Sequence, residues 1–253
     1  MDYAQIPVAT AAWGLDGILV VNVKAFTDRR AHIEGELARF GLRGELVLEH
    51  DAEEIGPELD SLYYLPEAGS RLSKGHKSCG LKHVAIMQRI VARGWRHCLV
   101  LEDDAVLLPG FRRGVEAALR ELQRDYAHVP TVSFIGCGGN WYTPRSQRRP
   151  GQSLYPATKG RFTDSYIIGA EAAQLRLDWI ARNKMRAAID NEFDRMDTEL
   201  GIRVLWLEPT VVEQGTKLGK FGSALDGRWP APVQGVLHRI ERFRRKYLYQ
   251  LWR

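Results

Sequence analysis

Cysteine is scarce: the 253 residues hold three, Cys79, Cys98 and Cys137, an odd number without a CxxC pair. This excludes a disulfide framework, and a chain of this length needs no staple to build a core. A reducing compartment is the expected setting. Long apolar runs are also missing, since residues 18–23 are interrupted by Asn22 and fall far short of a bilayer span. The opening MDYAQIPVATAAWG has no basic leader. The expectation is therefore a cytoplasmic protein, peripheral at most at the inner face of the membrane. With 45% hydrophobic and 26% charged residues, 24 Gly and 11 Pro, collagen-like, coiled-coil and wholly disordered chains are excluded.

The formal charge of +5 is unevenly placed. Residues 138–163 carry five basic side chains and no acid, and residues 236–253 carry six basic side chains against one Glu. Each tract contributes +5, so the remainder of the chain carries −5. A mildly acidic body with two basic surfaces attracts anions locally, and no nucleic-acid partner is expected.

Short apolar β-branched runs at 18–23, 97–101, 131–135 and 202–207 read as buried strands, with others at 46–48 and 164–168. Between them fall helical patterns at 27–40, capped by Thr27 or Asp28, and at 76–92, 111–126, 170–181 and 191–200. Alternating strands and helices predict an α/β fold with a mostly parallel central sheet, whose ligand site lies beyond the strands' carboxyl ends. Residues 138–160, rich in Gly and Pro, read as one long loop carrying Trp141, Tyr142, Arg145, Arg148, Arg149 and Lys159.

The strongest chemical signal is Glu102-Asp103-Asp104 at the end of the 97–101 run. Three carboxylates there require solvent, cations or hydrogen-bond donors. Strand alternation puts Glu102 and Asp104 on one face, where they suit Mg²⁺ or Mn²⁺ against a diphosphate, although a solvated turn also explains them. Arg29 and Arg30 at a helix start could meet a ligand anion or form plain surface charge. An Arg-bearing loop containing Arg145 and Arg148 complements a metal-bound diphosphate.

His76, Cys79 and His83 share a helix face, but no fourth zinc ligand follows at recognisable spacing. His83 could instead brace the acidic turn, contact a phosphate, or simply pack. Asp190 is a candidate general base, with Glu192, Asp194 and Asp164 as competitors and a helix cap as its plain role. Glu213 and Gln214 could bind sugar hydroxyls or mark a polar exit from the sheet. Trp141, Tyr142, Tyr155 and Trp206 offer flat faces for a base or sugar, or packing material.

In ordered pieces, these residues resemble glycosyltransferase family 25. Asn22 and Lys24 followed by Asp28, Arg29 and Arg30 look like its opening pattern. Gly75, Cys79 and His83 resemble its glycine, cysteine and histidine segment, and Leu101-Glu-Asp-Asp104 resembles its acidic metal motif. Tyr166-Ile-Ile168, Ile189-Asp190 and Val211-Val-Glu-Gln214 resemble its later segments. Asp164, His76 and Lys82 depart from the family's usual small residue or histidine, Glu and Ser. The likeness runs from about residue 18 to residue 214.

The resemblance implies a GT-A-like fold over residues 1–235 and a metal-dependent glycosyltransferase of the kind found in lipopolysaccharide biosynthesis. Such an enzyme moves a sugar, often galactose, from a UDP-sugar to a glycan or lipid-linked glycan hydroxyl. Inversion is expected, with Asp190 as base, Asp104 and Glu102 holding Mn²⁺ or Mg²⁺, and Asn22, Arg29, Arg30, His83, Asp103, Arg145, Arg148 and Gln214 binding the donor. Alternatives are a nucleotidyl or phosphoryl transferase, and a noncatalytic glycan- or membrane-binding module retaining the fold. Residues 236–253 form a basic amphipathic pattern suited to an anionic membrane surface or to packing on the body.

Overall fold

The computed structural model describes residues 8–222 and 240–245. A short helix α1 (Val8–Ala11) leads into strand β1 (Gly17–Val21), whose five residues are all buried, as expected for an apolar strand covered on both faces. Helix α2 (Thr27–Ala38) and strand β2 (Glu45–Val47) follow. The residue preceding α2 is Phe26 and makes no side-chain cap bond, so Thr27 and Asp28 sit inside the first turn and do not cap it. Helix α3 (Pro57–Tyr63) occupies the acidic stretch where sequence periodicity gave no signal. Helix α4 (Lys74–Ala92) is capped by Ser73, whose side chain accepts from the His76 amide.

Strand β3 (Cys98–Glu102) runs into the short β4 (Ala105–Leu107), then helix α5 (Phe111–Asp125) and strand β5 (Thr131–Phe134). The remainder comprises β6 (Leu154–Ala157), β7 (Ser165–Ile168), α6 (Ala170–Asn183), α7 (Ile189–Leu200), β8 (Arg203–Leu207) and β9 (Val212–Gln214).

Seven strands form one sheet in the order β2-β1-β3-β7-β5-β8-β6, and β4 pairs with β9 in a separate ribbon. Alternate side chains of β1 enter different cores: Leu19 and Val21 pack with α4, α6 and α7, whereas Ile18 and Val20 pack with α2 and α5. The fold is thus α/β with helices on both faces.

The expectation of a mostly parallel sheet is corrected. Pairs β1/β2, β1/β3 and β5/β8 are parallel, but β3/β7, β5/β7 and β6/β8 are antiparallel. A parallel neighbour needs a long crossover, usually helical. No α-helix separates β5 from β7, and β7 enters between β3 and β5 in the opposite sense. The proposed single loop at 138–160 is also interrupted, by a 3₁₀ turn at Arg145–Gln147 and by β6. Pro156 concealed β6 from pattern reading, but β6 lies at the sheet edge, where a missing amide hydrogen is tolerated.

Gly169 joins β7 to α6 so closely to the turn that leads into β3 that a Cβ there would lie 2.4 Å from the Arg96 carbonyl oxygen. Because the obstacle is backbone, Gly169→Ala is expected to destabilise the protein by about 1–3 kcal/mol, the usual range for overpacking. Urea unfolding of the variant checks this, and a midpoint equal to the parent's contradicts it.

Candidate functional site

The carboxyl end of β3 delivers three acids into a partly enclosed centre, and each has a different environment. Asp103 is buried, accepting from Asn22 Nδ2 at 2.8 Å and Arg29 Nη1 at 3.2 Å. Asn22 follows β1 and Arg29 lies in the first turn of α2, so these contacts tie two neighbouring element ends to the acidic turn. Burial raises the Asp103 carboxyl above its ordinary value, while Arg29 opposes that rise. Arg29 also reaches Thr216 Oγ1 at 3.4 Å and the Gly222 carbonyl.

Asp104 is buried, and its Oδ2 accepts from the Thr216 amide at 2.9 Å, but Oδ1 has no partner. Asp164, which precedes β7, has the same character: Oδ2 accepts from Ser165 Oγ at 3.0 Å and the buried Oδ1 is unpartnered. Gly136 permits this placement, because a Cβ there would lie 2.1 Å from Asp164 Oδ2. Glu102 accepts from Thr163 Oγ1 at 2.8 Å. Burial, followed by the charges of Asp104 and Asp164, pushes its carboxyl well above the usual range. Burial is also the main reason that Asp164 rises to about 7.

Asp104 and Asp164 each leave one buried carboxylate oxygen without a donor, and their charges act on Glu102; a divalent cation would supply the missing positive charge. The folded pKa of Asp164 is raised from 3.8 to about 7, so its contribution to stability is fully present below about pH 3.8 and is lost as the pH rises through 7. In chelator, Asp164→Asn is therefore expected to gain stability relative to the parent as the pH rises from 5 to 7.5. Thermal melts across that window check this, and parallel curves contradict it.

The other residues singled out from sequence are distributed unevenly around this centre. Arg30 pairs with Glu34 on the outer surface of α2. Arg145 is exposed in its 3₁₀ turn. Arg148 is held by Glu208 at 2.9 Å and the Thr143 carbonyl at 3.0 Å, alongside the buried Arg161, which also pairs with Glu208. The basic loop thus uses Arg148 and Arg161 to close on Glu208. Glu213 likewise pairs with Arg242, while Gln214 keeps a buried, unpartnered Oε1 on β9.

Asp190 lies in the first turn of α7, half-buried, accepting from the Asn191 amide at 2.9 Å. It lines a cleft with Trp141, Phe162, Thr163 and Asp194, so it shares a wall with the threonine that holds Glu102. Of its competitors, Glu192 accepts from the Arg186 and Ala187 amides, and Asp194 accepts from the Gly160 amide. Tyr155 is fastened to the Arg149 amide, and Trp206 donates to the Lys159 carbonyl at 2.8 Å.

His83 is fully buried, with Nδ1 2.9 Å from the Tyr166 hydroxyl, and burial lowers its pKa to about 3. His76 leaves the expected helix-face cluster by meeting Ser73 Oγ at 2.7 Å. Glu102 takes its place: Cys79, His83 and Glu102 each offer a ligand atom within 4.8 Å of the others. Sequence spacing could not show this convergence, because it joins a helix to the end of a strand. The Thr216 amide that holds Asp104 also went unseen, since a backbone donor leaves no residue signature.

Residues 236–239 and 246–253 of the basic C-terminal tract lie outside the described residues. No helix among the described residues is long and apolar enough to cross a membrane.

Human inactive glycosyltransferase 25 family member 3 is 28% identical over 120 residues, covering 44% of this chain and 20% of its own length. Procollagen galactosyltransferase 1 of Danio rerio is 29% identical over 178 residues, covering 67% of this chain and 29% of its own. The chain thus spans less than a third of these relatives' lengths. The solved structure of the inositol-1-phosphate CTP transferase from T. maritima aligns with 94% of this chain and 80% of that one, with 10% identity and a TM-score of 0.40. The expectation of an active nucleotide-sugar-dependent glycosyltransferase is corrected by the human, mouse, bovine and rat relatives, which are named inactive or probable inactive family members. The match to the family described as "Glycosyltransferase family 25 (LPS biosynthesis protein)" covers residues 15–191, more than half of the sequence, and the chain belongs to that family.

Proposed function

We propose that the chain is a noncatalytic binding module that keeps a GT-A-like family 25 fold and holds a nucleoside-diphosphate sugar, with UDP-sugar as the reference ligand. The observation carrying this reading is the pair of buried, unpartnered oxygens Asp104 Oδ1 and Asp164 Oδ1 at one sheet end. Asp104 and Asp164 would hold Mn²⁺ or Mg²⁺, which supplies positive charge to a bound diphosphate. Asn22 and Arg29 keep Asp103 oriented beneath that centre. Asp190, in the small cleft it lines with Trp141, Thr163 and Asp194, would offer a carboxylate to the hydroxyls of the bound sugar.

The test is calorimetric titration of UDP-galactose in Mn²⁺ and in chelator, beside mass-resolved product analysis with a glycan acceptor panel. Metal-dependent binding without released UDP or glycosylated acceptor is expected. Turnover overturns the noncatalytic assignment, and equal or absent binding under both conditions overturns the ligand assignment.

The same proposal divides the chain into a body at 1–235 and a peripheral segment at 236–253 that meets anionic lipid, near lipid-linked glycans. Ile240 and Phe243 are exposed beside basic residues, although Arg242 is fastened to Glu213. Deleting 236–253 is expected to lower sedimentation with anionic vesicles, and unchanged sedimentation overturns the lipid role.

A further inference from the structure

We propose that Cys79, His83 and Glu102 form a second metal site, for a borderline ion such as Zn²⁺, chemically separate from the hard-ion site at Asp104 and Asp164. Helix α4 supplies the first two ligands four residues apart, and Glu102 ends β3 opposite them. One ligand atom from each side chain lies within 4.8 Å of the other two.

An independent observation points to a ligand. His83 is completely buried, yet its Nε2 has no hydrogen-bond partner. The other ring nitrogen is engaged by Tyr166, while Phe193 meets the ring edge-on with centroids 5.8 Å apart. These contacts fix the ring without satisfying Nε2. A metal ion would satisfy it, and the tyrosine hydroxyl would act as the outer partner that orients a ligating imidazole.

The donor set decides the ion class. One thiolate, one imidazole and one carboxylate suit tetrahedral zinc with its fourth position open to water, whereas Mg²⁺ and Mn²⁺ favour oxygen. Thr163 holds Glu102 Oε1, leaving Oε2 for the ion. Cys79 and Glu102 are only half-buried, which gives the ion a way in. On binding, the Cys79 S–H bond breaks, its proton passes to solvent, and the sulfur electron pair forms the metal–sulfur bond. Nothing in this step requires a nucleotide sugar, so it stands or falls separately from the binding function proposed above.

The full chain, freed of metal by chelator, is titrated with Co²⁺ and followed by absorption spectroscopy. A near-ultraviolet thiolate-to-cobalt charge-transfer band saturating at one equivalent and erased by Zn²⁺ is expected. Cys79→Ser should remove that band, and Tyr166→Phe should weaken Zn²⁺ affinity by about 10–100-fold, as for other outer-shell losses. Should Cys79→Ser fail to fold, iodoacetamide labelling of the parent chain decides. Zn²⁺ should slow labelling at Cys79, read peptide by peptide against Cys98 and Cys137. Absence of the band, its survival in Cys79→Ser, or equal Cys79 labelling with and without Zn²⁺ overturns the site.

Discussion

Replacing Arg176 by alanine should lower the unfolding free energy by about 3–5 kcal/mol, the usual loss when one partner of a buried ion pair is removed. Arg176, on α6, is completely buried and makes a two-pronged contact with Asp197 on α7, through Nε at 2.8 Å and Nη2 at 2.7 Å. Its guanidinium also lies 3.8 Å from the Phe193 ring centroid. Truncation leaves Asp197 buried without its counter-charge, in surroundings whose burial already raises that carboxyl. Urea unfolding measures the loss, and a value below about 1 kcal/mol, the ordinary range for an exposed pair, would defeat this account. Replacing both partners, Arg176→Met with Asp197→Leu, should recover most of the stability, because no charge is then stranded.

The second large effect falls on ligand binding. Asp104→Asn should remove the difference between UDP-galactose binding in Mn²⁺ and in chelator, a loss of at least about tenfold, or about 1.4 kcal/mol. Asparagine retains an oxygen for the Thr216 amide but presents no charge to a cation, so the thermal midpoint should stay near the parent's. Arg30→Ala serves as the contrast, since its partner is the surface residue Glu34 and binding should be unchanged. Persistence of metal-dependent binding in Asp104→Asn would remove that residue from the cation site.

Much of the architecture could be read from residue order because its elements advertise themselves locally. The apolar runs forming β1 and β3, and the helical pattern of α4, need no knowledge of distant residues. Strand direction is different: the residues of β7 look alike whether they run with or against β3, and only the connection decides. At the site, Glu102, Asp103 and Asp104 stood out as charge following a buried strand. Their division of labour depends on Asn22, Arg29, Thr163 and Thr216, each brought in by the fold. Arg148 illustrates the same limit, since residue order places it in a basic loop whereas its ion pair with Glu208 is supplied by the fold.

The strand order carries a practical warning for anyone preparing a minimal fragment. Cutting at residue 191, where the family match stops, would amputate β8, the neighbour of both β5 and β6, and would strip Thr216 from Asp104. The β5 margin would then be left as an unsatisfied template for pairing between molecules. A usable excised body must therefore run through Gly222, whose carbonyl meets Arg29.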